Sequence, residues 1–271
     1  MGKAMNKGLI IPERHKDDLV QGTAKSLEVR FGALPLQPDG NWEEHLPASE
    51  KQAPGYETSA CVTFATLTAI EILANRKFKD KKNLSDRFVA KLSGTDPSAG
   101  NDPKKVAQFI RDNWSVLESE WATEDAHSTE EFYADVPKEK KTLAAARGAE
   151  YEFGYEWTGT NLESIKEALR HSPVCFSVPA WYERDGRYYR PNGVSDGHWT
   201  TGYDVNKNDE IRAEDSYPPH KKIMEKGYIP TIAMRYYLEK KVVSDKWYDR
   251  FLRLVKRVIR QMQYGISQAT S

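Results

Sequence analysis

The chain has 271 residues, and 40 Lys and Arg balance 40 Asp and Glu to zero formal charge. A whole-molecule electrostatic attraction to nucleic acid or an anionic membrane is therefore excluded, and no specific nucleic-acid partner is expected. With 39% hydrophobic, 11% aromatic and 30% charged residues the chain suits a sizeable core rather than disorder, and no apolar run approaches the ~20 residues of a membrane span.

The start, MGKAMNKGLIIPERHKDD, carries neither the apolar stretch of a secretory signal nor the Ser or Thr of a myristoylation motif, whose place is held by Asn6. With Cys61 and Cys175 as the only cysteines, a reducing, cytoplasmic compartment is expected and a disulfide between them is not. Residues 1–45 are rich in Pro, Gly and charge, with turns at Pro38-Asp39-Gly40, and read as an extended arm that packs on the main body or wraps a neighbour.

The next four segments read as helices. CVTFATLTAIEILANRKF (61–78) carries Val62, Ala65, Ala69, Ile72 and Leu73 at three- and four-residue spacing, with Thr58 or Ser59 as N-cap. NLSDRFVAKL (83–92) places Leu84, Phe88 and Leu92 four apart, and DPKKVAQFIRDN (102–113) opens on Pro103 and turns Val106, Phe109 and Ile110 inward. NLESIKEALR (161–170) precedes Pro173. The second half changes character: PVCFSVPAW, GRYYRP, GHWTTGYDV, EIRAEDSY and YIPTIAMRYYLEK are short aromatic or β-branched runs separated by turn signals, hence antiparallel strands. Helices followed by antiparallel strands predict an α+β protein. The end, KWYDRFLRLVKRVIRQMQ, aligns Trp247, Phe251, Leu254 or Val255, Val258 and Met262 in an apolar stripe, and eight Lys and Arg face two Asp between Lys240 and Arg260. A basic amphipathic C-terminal helix over 240–271 is expected, suited to a protein partner, as is the arm.

Cys61 heads the first helix, where unpaired backbone N–H groups and the helix dipole favour a thiolate; a small buried core residue is the plainer reading. His198 follows Gly197 in a strand, and Asp215 ends the next, so a hairpin can set the carboxylate beside the imidazole. Cysteine, base and orienting group are the parts of covalent acyl transfer. His127, His171 and His220 are expected at the surface and Cys175 in the core. Trp181, Tyr182, Tyr188 and Tyr189 pack on a sheet or line a substrate groove. No metal-ligand spacing and no glycine-rich phosphate loop occurs, so neither metal nor cofactor is expected.

These residues resemble the papain-like (C1-type) cysteine peptidases over approximately Leu46 to Lys240. The stretch NWEEHLPASEKQAPGYETSACVTFATLTAIE is similar to the family's extended opening, Gln and Cys-headed central helix. SGTDPSAGNDPKKVAQFIRDN, NLESIKEALRHSPVCFSV, DGHWTTGYDV, Asp215-Ser216-Tyr217 and EKGYIPTIAMRYY follow in the family's order. The resemblance implies a two-lobed fold, a helical lobe with the Cys-bearing helix against an antiparallel, β-barrel-like lobe, spanning 46–239 between the arm and the C-terminal helix. It implies Cys61 as nucleophile, His198 as general base and then acid, Asp215 as its orienting group, Tyr217 as the shield of the His198–Asp215 bond, and Gln52 as oxyanion donor beside the Cys61 N–H. Several features depart from the pattern. Gln52 stands further from Cys61 than the family's glutamine does from its cysteine, so Tyr56 or Glu57 competes for that place. Ser-Ala-Cys-Val replaces Gly-Ser-Cys-Trp, Asp replaces Asn, and neither the usual disulfides nor a long helical prosegment is recognisable. The compact frame is most similar to members encoded by bacteria and bacteriophages. The expected function is hydrolysis of peptide bonds in a peptide or protein substrate. The alternatives are an assembly protein, for example a virion-associated one, that keeps the fold with little or no activity, and an acyltransferase or transglutaminase.

Overall fold

The computed structural model describes residues 7–32 and 37–241. Its helices are α1 (Leu27–Phe31), α2 (Cys61–Phe78), α3 (Asp86–Leu92), α4 (Pro103–Asn113), α5 (Thr129–Phe132), α6 (Lys138–Gly148) and α7 (Leu162–Leu169). Its strands are β1 (Tyr151–Thr158), β2 (Val174–Val178), β3 (Glu183–Arg184), β4 (Arg187–Tyr188), β5 (His198–Val205), β6 (Ile211–Glu214), β7 (Lys221–Ile223) and β8 (Ala233–Lys240). The helices read from periodicity are present, as are the central strands. α1, α5, α6, β1, β3 and β7 were not anticipated, and α1 is a short helix inside the arm that reads as extended. The amphipathic helix expected beyond Lys240 lies outside the described residues.

α2 is the hub. Thirteen of its eighteen residues are buried, so it is a central helix sheathed on nearly every side rather than a surface helix with one apolar stripe. Neither expected cap serves it: Ala60 holds the N-cap position with no side-chain bond, and Ser59 sits at φ 54°. Thr58 instead donates its hydroxyl to the Gln52 carbonyl. α3 and α4 start as their sequences direct, on Ser85 and Asp102, whose side chains accept from Phe88 N at 3.1 Å and Lys104 N at 2.7 Å.

The main sheet has the order β1-β8-β2-β5-β6-β7, and β3-β4 form a small separate pair. β2 pairs antiparallel with both β5 and β8, and β5 pairs antiparallel with β6. In the β2–β5 register Val178 faces His198 and Val174 faces Gly202. A Cβ on Gly202 would stand 2.8 Å from the Phe176 ring, so glycine is required for the two strands to close over that side chain. The sheet lies on α2, where Thr201 Oγ1 and Cys175 Sγ both donate to the Ala65 carbonyl, at 2.8 and 3.2 Å.

The arm is packed on this body. Its residues 19–21 run beside β1, with the Trp157 N–H donating to Leu19 O and the Gln21 N–H to Trp157 O, each at 2.9 Å. α1 is held by Glu156, whose Oε2 accepts the Leu27 N–H at 2.7 Å while its Oε1 takes the buried Arg235 guanidinium at 2.5 Å. Without Glu156 the buried Arg235 guanidinium keeps only the half-exposed Glu28 as its ion-pair partner, and the Leu27 N–H loses its acceptor. Glu156→Ala is therefore expected to destabilise the protein by about 3–5 kcal/mol in urea unfolding. Replacing both Glu156 and Arg235 by apolar residues should cost less than the single change.

Candidate active site

Cys61 begins α2 and is fully buried, as is Cys175; both are free thiols. Burial pushes the Cys61 thiol far above its ordinary value, and the nearby Asp215 and Glu57 charges add to that; the N–H groups of Trp199 and Val62 act in the opposite direction. The thiolate expected from the helix N-terminus is therefore not favoured here, because desolvation outweighs the backbone dipoles. Cys175 is core, between Ala65 O and Thr201, and burial pushes its thiol up to about 12.

His198 opens β5 and Asp215 follows β6 in the neighbouring hairpin arm. His198 Nε2 lies 2.7 Å from Asp215 Oδ2, and both side chains are completely buried. His198 Nδ1 is buried with no hydrogen-bond partner among the described residues, so the ring is oriented by Asp215 and leaves its other nitrogen bare. Two aromatic rings flank the imidazole, each 5.4 Å away and near-perpendicular: Tyr217 and Trp181. Trp181 thus packs against the imidazole itself.

Asp215 has three further partners that sequence reasoning missed. Lys222, 1% exposed, places its ammonium 3.2 Å from Oδ1. The Tyr217 N–H donates to Oδ1 at 2.9 Å, and His220 Nδ1 lies 2.7 Å from the Asp215 carbonyl. His220, expected as a free surface residue, is thus half-buried in the turn that shapes the site. Burial raises the Asp215 carboxyl, but His198, Lys222 and the Tyr217 N–H outweigh it, so the carboxyl is held below its ordinary value. Lys222 comes from β7, a charged three-residue strand with no sequence signal of its own.

Gln52 is fully buried, and its amide is engaged on every side. Its Nε2 donates to the Lys7 carbonyl at 2.8 Å and to Glu57 Oε1 at 2.9 Å, while Oε1 accepts from Ser216 Oγ at 2.9 Å. Glu57 also takes the Ser59 N–H, the Tyr217 hydroxyl and the Lys7 ammonium. Burial raises the Glu57 carboxyl, but these donors outweigh it and hold it low. Tyr56 lies apart, bonded to Ala126 O at 2.9 Å.

The Lys7 carbonyl reaches Gln52 because the arm crosses the site. The Lys7 N–H donates at 2.7 Å to Gly197 O, the residue before His198. Further along the arm, the Asn101 N–H donates to Gly8 O and the Ile10 N–H to Asn101 O, both at 2.9 Å. The crossing depends on missing side chains. A Cβ on Gly8 would lie 1.9 Å from Ser59 O, and one on Gly100 would lie 1.9 Å from Gly8 O. The arm therefore threads between Ser59 and Gly197, beside Cys61 on one side and His198 on the other.

No family model and no curated protein matches the sequence. Solved structures do. The bromelain protease from Ananas comosus in complex with the E64 inhibitor superposes with TM-score 0.57 at 18% identity, over 73% of this chain and 98% of that one. A recombinant stem bromelain precursor gives TM-score 0.58 at 17% identity, over 88% of this chain and 78% of that one. The digestive procathepsin L 3 of the Tenebrio molitor larval midgut gives 0.56 at 13%, over 86% and 76%. The chain thus has the α+β papain-like fold, a helical region followed by an antiparallel sheet, as found in papain-like cysteine proteases. Among the described residues no helix is long and apolar enough to cross a membrane.

A carboxyl held below its ordinary value stabilises the fold above that value, 3.8 for aspartate, and the contribution is lost as pH falls through the lower, folded value. The thermal stability of wild type should therefore fall more steeply between about pH 5 and pH 2 than that of Asp215→Asn. Parallel pH profiles for the two proteins would show that folding does not lower the Asp215 carboxyl.

Proposed function

We propose that the protein is a cysteine peptidase that attacks peptide bonds through Cys61, His198 and Asp215. The observation that carries this reading is the buried imidazole fixed by Asp215 through Nε2, with Nδ1 bare, on the strand packed against the start of the Cys61 helix. His198 takes the thiol proton through Nδ1, and the sulfur attacks the scissile carbonyl carbon. The tetrahedral oxyanion is stabilised by the Cys61 N–H and Gln52 Nε2; the latter already donates to a peptide carbonyl, that of Lys7. His198 returns the proton to the leaving amine as the thioester forms. Water, deprotonated by the same nitrogen, then resolves the thioester to a carboxylic acid and the free thiol. Asp215 keeps the imidazole in one tautomer and orientation, Lys222 keeps Asp215 charged, and Tyr217 and Trp181 exclude water from their bond.

In this arrangement the arm and a substrate compete for one place. With residues 7–10 seated, Gln52 Nε2 is occupied and Cys61 is sealed from solvent, so turnover requires the arm to move. That same occupancy supports the second reading, an assembly protein that keeps the fold with its site closed. The two readings separate on one full-length variant. Gly8→Ala cannot be seated against Ser59 O and should release the arm without touching the triad. Alkylation of Cys61 by a thiol-directed epoxide, followed by mass spectrometry, should accelerate at least about 10-fold over wild type, the rate equivalent of ~1.4 kcal/mol. Cys175 should remain unlabelled. Peptide-library cleavage should appear in Gly8→Ala and vanish in Gly8→Ala/Cys61→Ala. A Gly8→Ala protein that labels Cys61 no faster and cleaves nothing would favour the assembly reading.

A further inference from the structure

A second cluster of buried ionisable groups lies away from Cys61 and has no part in the peptidase chemistry. One carboxylate oxygen from each of Glu50, Asp86 and Glu118 lies within 4.8 Å of the others. Asp86 is 0% exposed, and neither of its oxygens meets a hydrogen-bond donor among the described residues. Glu118 Oε2 and the Asn83 side-chain carbonyl are likewise buried without a partner, and the Asn83 amide touches the cluster by donating to Glu50 Oε1 at 2.7 Å. The ligand atoms are held by backbone rather than by loose loops. Leu84 and Leu117 form a β-bridge, and the Glu118 N–H donates to Asn83 O at 2.9 Å.

We propose that Glu50, Asp86 and Glu118 bind one divalent cation of the calcium type. An all-oxygen set without histidine or cysteine selects a hard cation, and a fully buried aspartate suits calcium, which accepts a protein cage, better than magnesium, which retains several waters. Burial first, and then the charges of neighbouring carboxylates, push Asp86 well above the ordinary carboxylate range and Glu118 up to about 7. The buried Glu71, 4% exposed on α2, is a fourth carboxyl in the surroundings of Asp86 and accepts the Leu84 N–H at 2.6 Å. Such a group of acids must be neutralised either by protons or by a cation, and the donor-free oxygens of Asp86 and Glu118 are acceptors that a cation satisfies together. The ligands lie far apart in sequence, which is why no motif marks them.

The test uses the full-length protein after chelation, titrated with calcium chloride and, in parallel, with terbium. Calorimetry should give one calcium per chain, and thermal unfolding should rise by about 5–10 °C at 100 times the Kd. Asp86→Asn should abolish binding and raise the melting temperature of the calcium-free protein, since it replaces a buried carboxyl that must otherwise take up a proton on folding. Should Asp86→Asn fail to fold, Glu118→Gln provides the second variant, with calcium affinity weakened at least about 10-fold. A wild-type melting temperature unmoved by millimolar calcium or magnesium, with no terbium signal, would overturn the proposal in favour of shared protons among the acids. Binding that persists unchanged in either variant would overturn it as well.

Discussion

The docking of the first turns of α2 on the β2–β5 pair is the constraint from which the rest follows. Cys175 and Thr201 stand opposite one another in the β2–β5 register, and both reach the Ala65 carbonyl, one turn into the helix. That attachment fixes how far along β5 the helix begins, and so sets Cys61 against the Trp199 N–H, next to His198. Gly202 makes the attachment possible by letting Phe176 lie flat across β5. Hairpin geometry fixes Asp215 against His198 independently of that attachment.

The same economy shapes the helix terminus. A Ser or Thr cap would have placed a hydroxyl over the first N–H groups of α2. Thr58 is turned away to Gln52 and Ser59 takes a left-handed conformation, so the Val62 N–H is left for the sulfur. Stability of the helix end is given up there, and thirteen buried residues along α2 make it good. The arm closes over the site through its backbone and the Lys7 ammonium on Glu57, and two glycines, Gly8 and Gly100, stand where the backbones touch.

How much of this is legible in the sequence depends on the range of each interaction. The helices at 61–78 and 103–113 and the strand at 198–205 carry their signals within themselves, and the order of those signals leads to the papain-like fold. α6 is largely charged, with Ala144 alone buried, and β1 carries Glu and Gly within its aromatic run, so periodicity passes over both. Lys222 and Lys7 carry no sequence signal for a different reason: each acts on a residue brought near only by tertiary folding, and a lone lysine reads as a solvated charge. The cap at Thr58 or Ser59 failed because a tertiary bond to Gln52 outcompeted a local one. The strap from Pro47 to Gln52 links both clusters of buried charge, since Glu50 reaches Asn83 while Gln52 reaches Ser216 and Lys7.

The central claim is that Asp215 holds His198 with the proton on Nε2 and Nδ1 bare, ready to receive the Cys61 proton. Proton and nitrogen NMR of the histidine rings tests it directly. The account predicts a far-downfield Nε2–H resonance of His198, slow to exchange, that is lost in His198→Ala and shifts in Asp215→Asn. A neutral His198 carrying its proton on Nδ1, with Nε2 unprotonated against Asp215, would contradict it.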